Sequence, residues 1–242
     1  MNILAIESSA ITASVAILTD ECVIAEYTIN HKKTHSQTLL PMIDEICRMT
    51  DMNLEALDLI AVSCGPGSFT GLRIGVATGK GIAFALNKKM IAVPTLEAMA
   101  YNLYNTKKYV CSVMDARRQH LYCGIYYYKE GILQTQLEQS LLSYEELVLM
   151  LNDINQSVVF IGDGISVAGD YIKNNIACSY EFAPPHLATQ RAASVGMYAK
   201  YLYDKNGALD GSQIIPNYLR PSQAERLLGE KNVKSECSTN EC

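Results

Sequence analysis

The sequence predicts the same order of strands and helices twice, and this repeat restricts the folds that the chain can adopt. Alternating and apolar runs within residues 3–29 predict three short strands, and a helix follows near His35. A strand, a glycine-rich helix, another strand and a last helix complete the series β-β-β-α-β-α-β-α by about residue 105. The second half predicts the same series, with a less regular third strand near Ile132. We therefore expect a duplicated α/β unit.

Two units of this kind predict two α/β lobes with mixed sheets and a cleft between them. That is the architecture of the actin, Hsp70 and sugar-kinase superfamily. We expect an N-terminal lobe over residues 1–105 and a C-terminal lobe over residues 106–222. Residues 223–242 are polar and charged, and we expect them to form a flexible tail.

Composition indicates an ordinary soluble protein. The chain has 242 residues, of which 49% are hydrophobic and 19% charged. Its net charge of -5 gives no reason to expect nucleic-acid binding by the molecule as a whole. No apolar run is long enough to cross a membrane, and the first ten residues read as a strand instead of a signal peptide. The eight cysteines contain no C-x-x-C pair, which predicts free thiols in a cytoplasmic protein.

A glycine-rich segment carries the most unusual pattern. Six glycines fall within Ser63–Gly81, and Gly71, Gly75 and Gly79 are four residues apart in a predicted helix. Almost every other side chain of this helix is apolar, so the helix must be buried on most of its sides. The glycines pack either against the protein's own sheet or in a subunit interface shared with the neighbouring helix Leu39–Cys47. The pattern leaves both interpretations open.

Two short segments are candidate nucleotide contacts. Glu7, Ser8 and Ser9 follow the first strand, where they either contact a nucleotide or metal, or form a strand-end acid bonded to the following amides. Gly162 and Gly164 either let a nucleotide approach the main chain or form a plain turn.

Other polar residues have no assigned chemistry. His31 and His35 have metal-ligand spacing, but a third ligand is missing nearby, and we expect His35 and Ser36 to start a helix instead. No serine lies in a G-x-S-x-G nucleophile motif. Asp115, Arg117 and Arg118 form a polar patch at a strand end, which either binds a partner or is simply solvated.

Five motifs resemble the TsaB family. They read THSQTLLPMID, SCGPGSFTGLRIGVATGKGIA, PTLEAMA, MDARRQHLY and PNYLR. TsaB, formerly called glycoprotease-like, is the bacterial partner of TsaD, the transferase of tRNA threonylcarbamoyladenosine formation. In the catalytic TsaD branch a His-x-x-x-His metal pair follows the glycine helix. Thr95 and Met99 occupy those positions here, so the resemblance implies a non-catalytic chain without the metal site.

The resemblance also implies partners. TsaB pairs with TsaD through two helices from each protein, the ATPase TsaE joins the complex, and TsaB alone forms homodimers through the same surface. The corresponding helices are His35–Arg48 and Thr70–Leu86, in the N-terminal lobe. tRNA contact is then indirect, no membrane is involved, and ATP or ADP is expected only at the complex interface. The predicted interface residues are His35, Ser36, Leu39, Leu40, Ile43, Ile46, Cys47, Leu72, Arg73, Gly75, Val76, Gly79, Lys80 and Ala83.

Two other classes of function remain as alternatives. An independent ATP-binding small-molecule kinase needs a catalytic acid, for which Glu7 is the one candidate, although many TsaB relatives have aspartate there. A metallopeptidase-like protein needs metal ligands or a nucleophile set, which the sequence does not offer. A homodimeric module with a different partner is a third possibility.

Overall fold

The first half of the chain forms a five-stranded mixed sheet. The computed structural model describes residues 1–31 and 33–220, so the predicted tail at 223–242 lies outside the described residues. Strands β1 to β5 pair in the order β3-β2-β1-β4-β5, with β1, β4 and β5 parallel. The elements are β1 (Ile3–Glu7), β2 (Thr12–Leu18), β3 (Val23–Asn30), α1 (His35–Met49), β4 (Leu59–Ser63), α2 (Phe69–Leu86), β5 (Lys89–Val93) and α3 (Thr95–Ala100).

The second half repeats this topology. Its strands pair in the order β10-β9-β6-β7-β8, which corresponds strand for strand to the first sheet. The less regular third strand is the longest of the ten, at 12 residues. The duplicated unit and the mixed sheets are therefore confirmed. The elements are β6 (Tyr109–Asp115), β7 (His120–Lys129), β8 (Ile132–Ser143), α4 (Tyr144–Ile154), β9 (Val158–Ile161), α5 (Ile165–Asn175), β10 (Tyr180–Phe182) and α6 (Ala192–Asn206).

The two sheets and three groups of helices stack in five layers. Successive residues of β1 point to opposite faces, so Leu4 and Ile6 pack against α1 and α2 while Ile3 and Ala5 face the inside of the molecule. Helices α3 and α6 lie between the two sheets and share one apolar core with both. Helices α4 and α5 cover the far face of the second sheet.

The middle layer contains one helix from each side of the lobe boundary predicted near residue 105. Helix α6 comes from the second half but packs against β1 and β2, whereas α3 comes from the first half and packs against β6 and β7. Tyr198 of α6 donates a hydrogen bond to Glu97 of α3, which joins the two crossing helices. A division of the sequence at residue 105 therefore remains a prediction.

Helix α1 begins at His35, after the extended residue Thr34, as its histidine predicts. The position of the proline predicts instead a cap at Thr38 with Pro41 in the first turn, and that prediction is wrong. His35 is buried and its ring nitrogen Nε2 lies 2.8 Å from the Ala10 carbonyl oxygen. This tertiary contact fixes the first turn, and Pro41 lies on the exposed side of the second turn.

Candidate functional site

The glycines of α2 face the protein's own first sheet. A Cβ atom built on Gly71 would lie 2.1 Å from the main-chain oxygen of Ser8, and one on Gly75 would lie 2.2 Å from the Ser8 hydroxyl oxygen. At Gly79 the nearest atom is the methyl carbon of Met90, at 2.9 Å. Ser8 therefore leaves no room for a side chain at Gly71 or Gly75, whereas the atom close to Gly79 is the end of a flexible side chain. The four-residue spacing therefore serves close packing of the helix on β1 and its neighbours, which was the first of the two open interpretations.

Burial divides the predicted interface residues into two groups. Nine of them are buried within the chain, where they hold α1 and α2 on the sheet, and their contact with a partner remains a prediction. They are His35, Leu39, Ile43, Ile46, Leu72, Gly75, Val76, Gly79 and Ala83. Ser36, Leu40 and Arg73 are exposed, and Cys47 and Lys80 are partly so.

The opposite face of α2 is also apolar, and it is open. Ala77, Gly81, Phe84 and Ala85 recur at helical spacing on this side, where Phe84 is 92% exposed and a Cβ on Gly81 would have no atom within 4 Å. Ile74 continues the same side but is half-buried and packs against the core. Sequence reasoning did not select these residues. Because α2 is apolar almost all round, its pattern cannot show which side meets the sheet.

Helix α1 packs beside α2 and has an exposed apolar residue of its own. Its Leu40 side chain is 56% exposed. We call Leu40, Ile74, Ala77, Gly81, Phe84 and Ala85 together the outer helix face. An exposed, contiguous apolar surface is typical of a site where another protein docks.

In the segment that follows β1, the side chains of Glu7 and Ser8 are held by hydrogen bonds within the protein. Glu7 is buried, and its carboxylate accepts a hydrogen bond of 2.6 Å from the Ser9 N–H. Burial raises the pKa of the Glu7 carboxyl, and hydrogen bonds from Ser9 and Ser63 partly oppose that rise. The Ser8 hydroxyl is buried as well and donates to the Gly71 carbonyl oxygen at 2.9 Å. This is the geometry of a strand-end acid bonded to the following amide, and a nucleotide contact by these side chains remains a prediction.

The glycines after β9 have a packing role of their own. A Cβ on Gly162 would lie 2.0 Å from the Val113 main-chain oxygen, and one on Gly164 would lie 3.0 Å from the Val113 main-chain carbon. Strand β6 therefore occupies the space beside both glycines. The proposed nucleotide approach at Gly162 and Gly164 is untested, and the turn is explained without it.

A cleft of about 650 Å³ opens between the two halves. Its walls are the β1–β2 turn, the β6–β7 turn, the beginning of α2 and residues 217–220. Ser9, Arg117, Arg118, Asp163 and Arg220 line it. The polar patch noted in the sequence is thus part of this cleft.

Thr95 and Met99, which the sequence resemblance aligns with a metal-binding histidine pair, have structural partners. The Thr95 hydroxyl accepts a hydrogen bond of 3.1 Å from the Gly65 N–H, and Met99 is buried in the central core. Among residues 1–31 and 33–220 no three His, Cys, Asp or Glu side chains are grouped as metal ligands would be. Within the same residues, no helix combines the length and the apolar character needed to cross a membrane.

Comparison with known proteins gives consistent matches over most of the chain. Residues 22–227 match the family model "TsaD: tRNA N6-adenosine threonylcarbamoyltransferase". The Bacillus subtilis tRNA threonylcarbamoyladenosine biosynthesis protein TsaB is 32% identical over 93% of this chain and 96% of its own length. The TsaB protein of Haemophilus influenzae is 27% identical over 91% of this chain and 94% of its own length.

Two solved structures also match this chain over most of its length. YeaZ from Pseudomonas aeruginosa superimposes with a TM-score of 0.77 at 25% identity, covering 90% of this chain and 99% of that one. Component A of the Acidaminococcus fermentans (R)-2-hydroxyglutaryl-CoA dehydratase shares the fold alone, with a TM-score of 0.51 and 11% identity over 85% of this chain and 98% of that one. With the predicted two-sheet fold present and these relatives aligned over nearly its whole length, the chain belongs to the TsaB family of tRNA threonylcarbamoyladenosine biosynthesis proteins, within the wider family that the TsaD model describes.

Proposed function

We propose that this protein is a non-catalytic subunit required for tRNA N6-threonylcarbamoyladenosine formation. It binds and activates a TsaD-type transferase, and the outer helix face is the surface that it uses. The names of its relatives place them in this biosynthesis. The observation that carries the proposal is the exposure of Phe84, at 92%, in the last turn of an apolar helix surface.

The energetics favour a partner at this face. Burying apolar surface contributes about 25 cal/mol per Å², so leaving an aromatic ring and its aliphatic neighbours in water forgoes stabilisation that a docked helix would recover. Positions 77, 81 and 85, on the same side as Phe84, carry only alanine or glycine. Small residues allow the main chain of a neighbouring helix to come close.

An accessory role also fits the chemistry of the chain. Thr95 and Met99 stand where the transferase branch has its histidine pair, and both side chains already contribute to packing and hydrogen bonding in the fold. A buried Glu7 offers no exposed carboxylate for a kinase reaction. The transferase chemistry therefore belongs to the partner.

The remaining expectations form part of the same proposal. The protein acts in the cytoplasm, TsaE joins through the complex, and tRNA is reached through TsaD. Alone, the chain forms a homodimer by pairing the outer helix faces of two copies. A nucleotide, where present, belongs to the complex interface.

Co-elution with TsaD on a sizing column tests the proposal. Phe84→Asp should abolish co-elution and the stimulation of tRNA modification in vitro, because it places a charge in an apolar contact. Leu149→Asp is the matched control, since Leu149 is an exposed apolar residue at 58% on the outer helix α4 of the other half. Full complex formation by Phe84→Asp, or transferase turnover by this chain alone, would contradict the proposal.

A further inference from the structure

A groove of about 590 Å³ runs along the outer side of α6. Its other walls are the first residue of β3, Val23, and the short 3₁₀ turn Tyr101–Leu103 that follows α3, together with Tyr104. This volume lies in the range of small-ligand sites, which is about 300–1,000 Å³. None of the five sequence motifs contributes a residue to the groove. The docking surface and the motifs therefore leave the groove without a role.

Four tyrosine rings form a continuous array at the groove. The ring centroids of Tyr104 and Tyr101 are 5.8 Å apart, those of Tyr101 and Tyr198 are 5.0 Å apart, and Tyr198 stacks on Tyr201 at 5.6 Å. Tyr198 is buried and donates a hydrogen bond to Glu97, which fixes the middle of the array. The other three rings line the groove. Because the rings support one another, little side-chain freedom is lost when a ligand packs against them.

The lining of the groove is apolar where it meets solvent. Tyr104 is 60% exposed and Met197 of α6 is 40% exposed. The methionine thioether is polarizable and packs well against aromatic rings. Aromatic rings prefer to contact other rings, offset or edge to face. A planar aromatic ligand is thus the kind of molecule that this lining suits.

The charged side chains of the groove are already paired within the protein. Arg191 pairs with Glu26, and Lys200 lies 2.8 Å from Asp204 and 3.6 Å from Asp20. These pairs include all three charged residues that line the groove, Arg191, Lys200 and Asp204. A charged ligand would have to compete with one of these pairs. The groove therefore favours a ligand without charge.

The hydrogen-bonding groups that remain for a ligand are phenols. The Asn102 side chain donates to two main-chain oxygens and accepts from Ser194, so its capacity is used. The hydroxyl groups of Tyr101, Tyr104 and Tyr201 have no hydrogen-bond partner among the described residues. Burial raises the pKa of the Tyr101 phenol, which keeps its proton in place for donation. The ligand is then expected to carry acceptor atoms.

The groove is remote from the cleft between the two halves. Strand β2 separates them: Thr12 begins it beside the β1–β2 turn of the cleft, and Leu18 ends it opposite Val23. Seven residues in a strand span about 20 Å. The cleft and the groove share no lining residue.

We propose that this groove binds an uncharged, planar aromatic ligand that carries hydrogen-bond acceptors. The ligand packs against Tyr104 and Met197, and the phenol groups of Tyr101 and Tyr201 donate to its acceptors. The site uses no residue of the outer helix face, so the inference does not depend on the docking function.

Titration of the isolated chain with caffeine tests the site, because caffeine is planar, uncharged and carries acceptors only. Calorimetry should show saturable binding, and the melting temperature should rise with caffeine concentration. Tyr104→Ala should weaken binding at least about fivefold through loss of a ring contact. Met197→Arg should abolish binding, since it places a charged side chain in the groove. Tyr203→Ala is the matched control: it removes an exposed tyrosine of the same helix that does not line the groove.

Binding that is kept in Tyr203→Ala, weakened in Tyr104→Ala and lost in Met197→Arg supports the proposal. The melting temperatures of the free variants should stay near that of the parent, because all three residues are exposed. Quinoline serves as a second uncharged planar probe with an acceptor in its ring. No saturable binding of either compound at millimolar concentration overturns the proposal, and so does equal binding by the parent and Met197→Arg. Because the transferase is absent from these titrations, their outcome is independent of the docking experiment.

Discussion

Gly75 of α2 lies against Ser8 so closely that a Cβ atom on the glycine would be 2.2 Å from the serine hydroxyl oxygen. The same hydroxyl donates to the carbonyl oxygen of Gly71, one turn earlier. The helix main chain is therefore seated on the turn that follows β1. Because that turn also lines the cleft, one contact positions both the candidate docking helix and one wall of the cleft.

Replacing Gly75 by alanine should destabilise the fold. The added methyl group must displace the buried Ser8 hydroxyl, and overpacking of this kind costs about 1–3 kcal/mol. Gly81→Ala is the matched control in the same helix, since a Cβ there meets no atom within 4 Å. That variant should gain about 0.5–1 kcal/mol from helix propensity. Urea unfolding of both variants measures the difference, and equal stabilities would show that Gly75 is not in a close contact.

The element order could be predicted from sequence, because periodicity is a local property. Helix α2 buries one side and exposes another, whereas its pattern predicts burial on most of its sides. The side of α2 that meets the sheet could not be predicted, since apolar residues surround the helix. Only the position of Ser8 in the folded protein distinguishes Gly75 from Gly81. The crossing of α3 and α6 between the two sheets depends on long-range packing and leaves no local pattern. Likewise, Phe84 looks like a core residue in the sequence and is the most exposed large apolar side chain among the described residues.

Neutralising Glu7 should change how stability depends on pH. The folded-state pKa of Glu7 is raised above the ordinary value of 4.5 by burial, so the folded protein binds a proton more tightly than the unfolded chain. Ionisation therefore lowers the free energy of unfolding as pH rises from about 4.5 through the folded-state pKa. Glu7→Gln keeps an acceptor for the Ser9 N–H and removes this cost. We expect the variant to be more stable than the parent at pH 8 and closer to it at pH 4.

Thermal unfolding of the parent and the variant across this pH range checks the Glu7 prediction. Glu55→Gln is a suitable control because Glu55 is exposed near the surface of the same half. The control should leave the pH profile unchanged. Identical profiles for Glu7→Gln and the parent would mean that Glu7 has no raised pKa.

The pairing of Arg191 with Glu26 should be worth more than a surface ion pair. The Glu26 carboxylate accepts hydrogen bonds from the Arg191 guanidinium and from the Ala193 N–H, at 2.9 Å for the latter, and its side chain is only 11% exposed. It thus ties β3 to the beginning of α6. Arg191→Met leaves this nearly buried carboxylate without its cation and should cost about 1–3 kcal/mol.

Chemical denaturation measures that loss against an exposed pair. Lys173→Met breaks the pair with Asp170, whose side chain is 94% exposed, and should change stability by less than about 0.5 kcal/mol. The cost of Arg191→Met should also persist in high salt, since a shielded pair is screened less than an exposed one. A cost no larger than that of Lys173→Met would show that the link between β3 and α6 is dispensable.

Gly81 provides the sharpest test of the outer helix face, because it separates docking from folding. Its position is open to solvent, so Gly81→Arg introduces a long side chain without a clash inside the protein. The same side chain would occupy the open space next to Phe84 that a partner helix needs. We expect the folded stability to be kept and the affinity for TsaD to fall at least about tenfold, while Gly81→Ala binds nearly as well as the parent.

Surface plasmon resonance with immobilised TsaD measures both affinities. Val167→Arg, at an exposed site on α5, controls for the added charge. If Gly81→Arg bound TsaD as tightly as Val167→Arg, the partner would have to dock away from α2, and the exposed Phe84 would need another explanation.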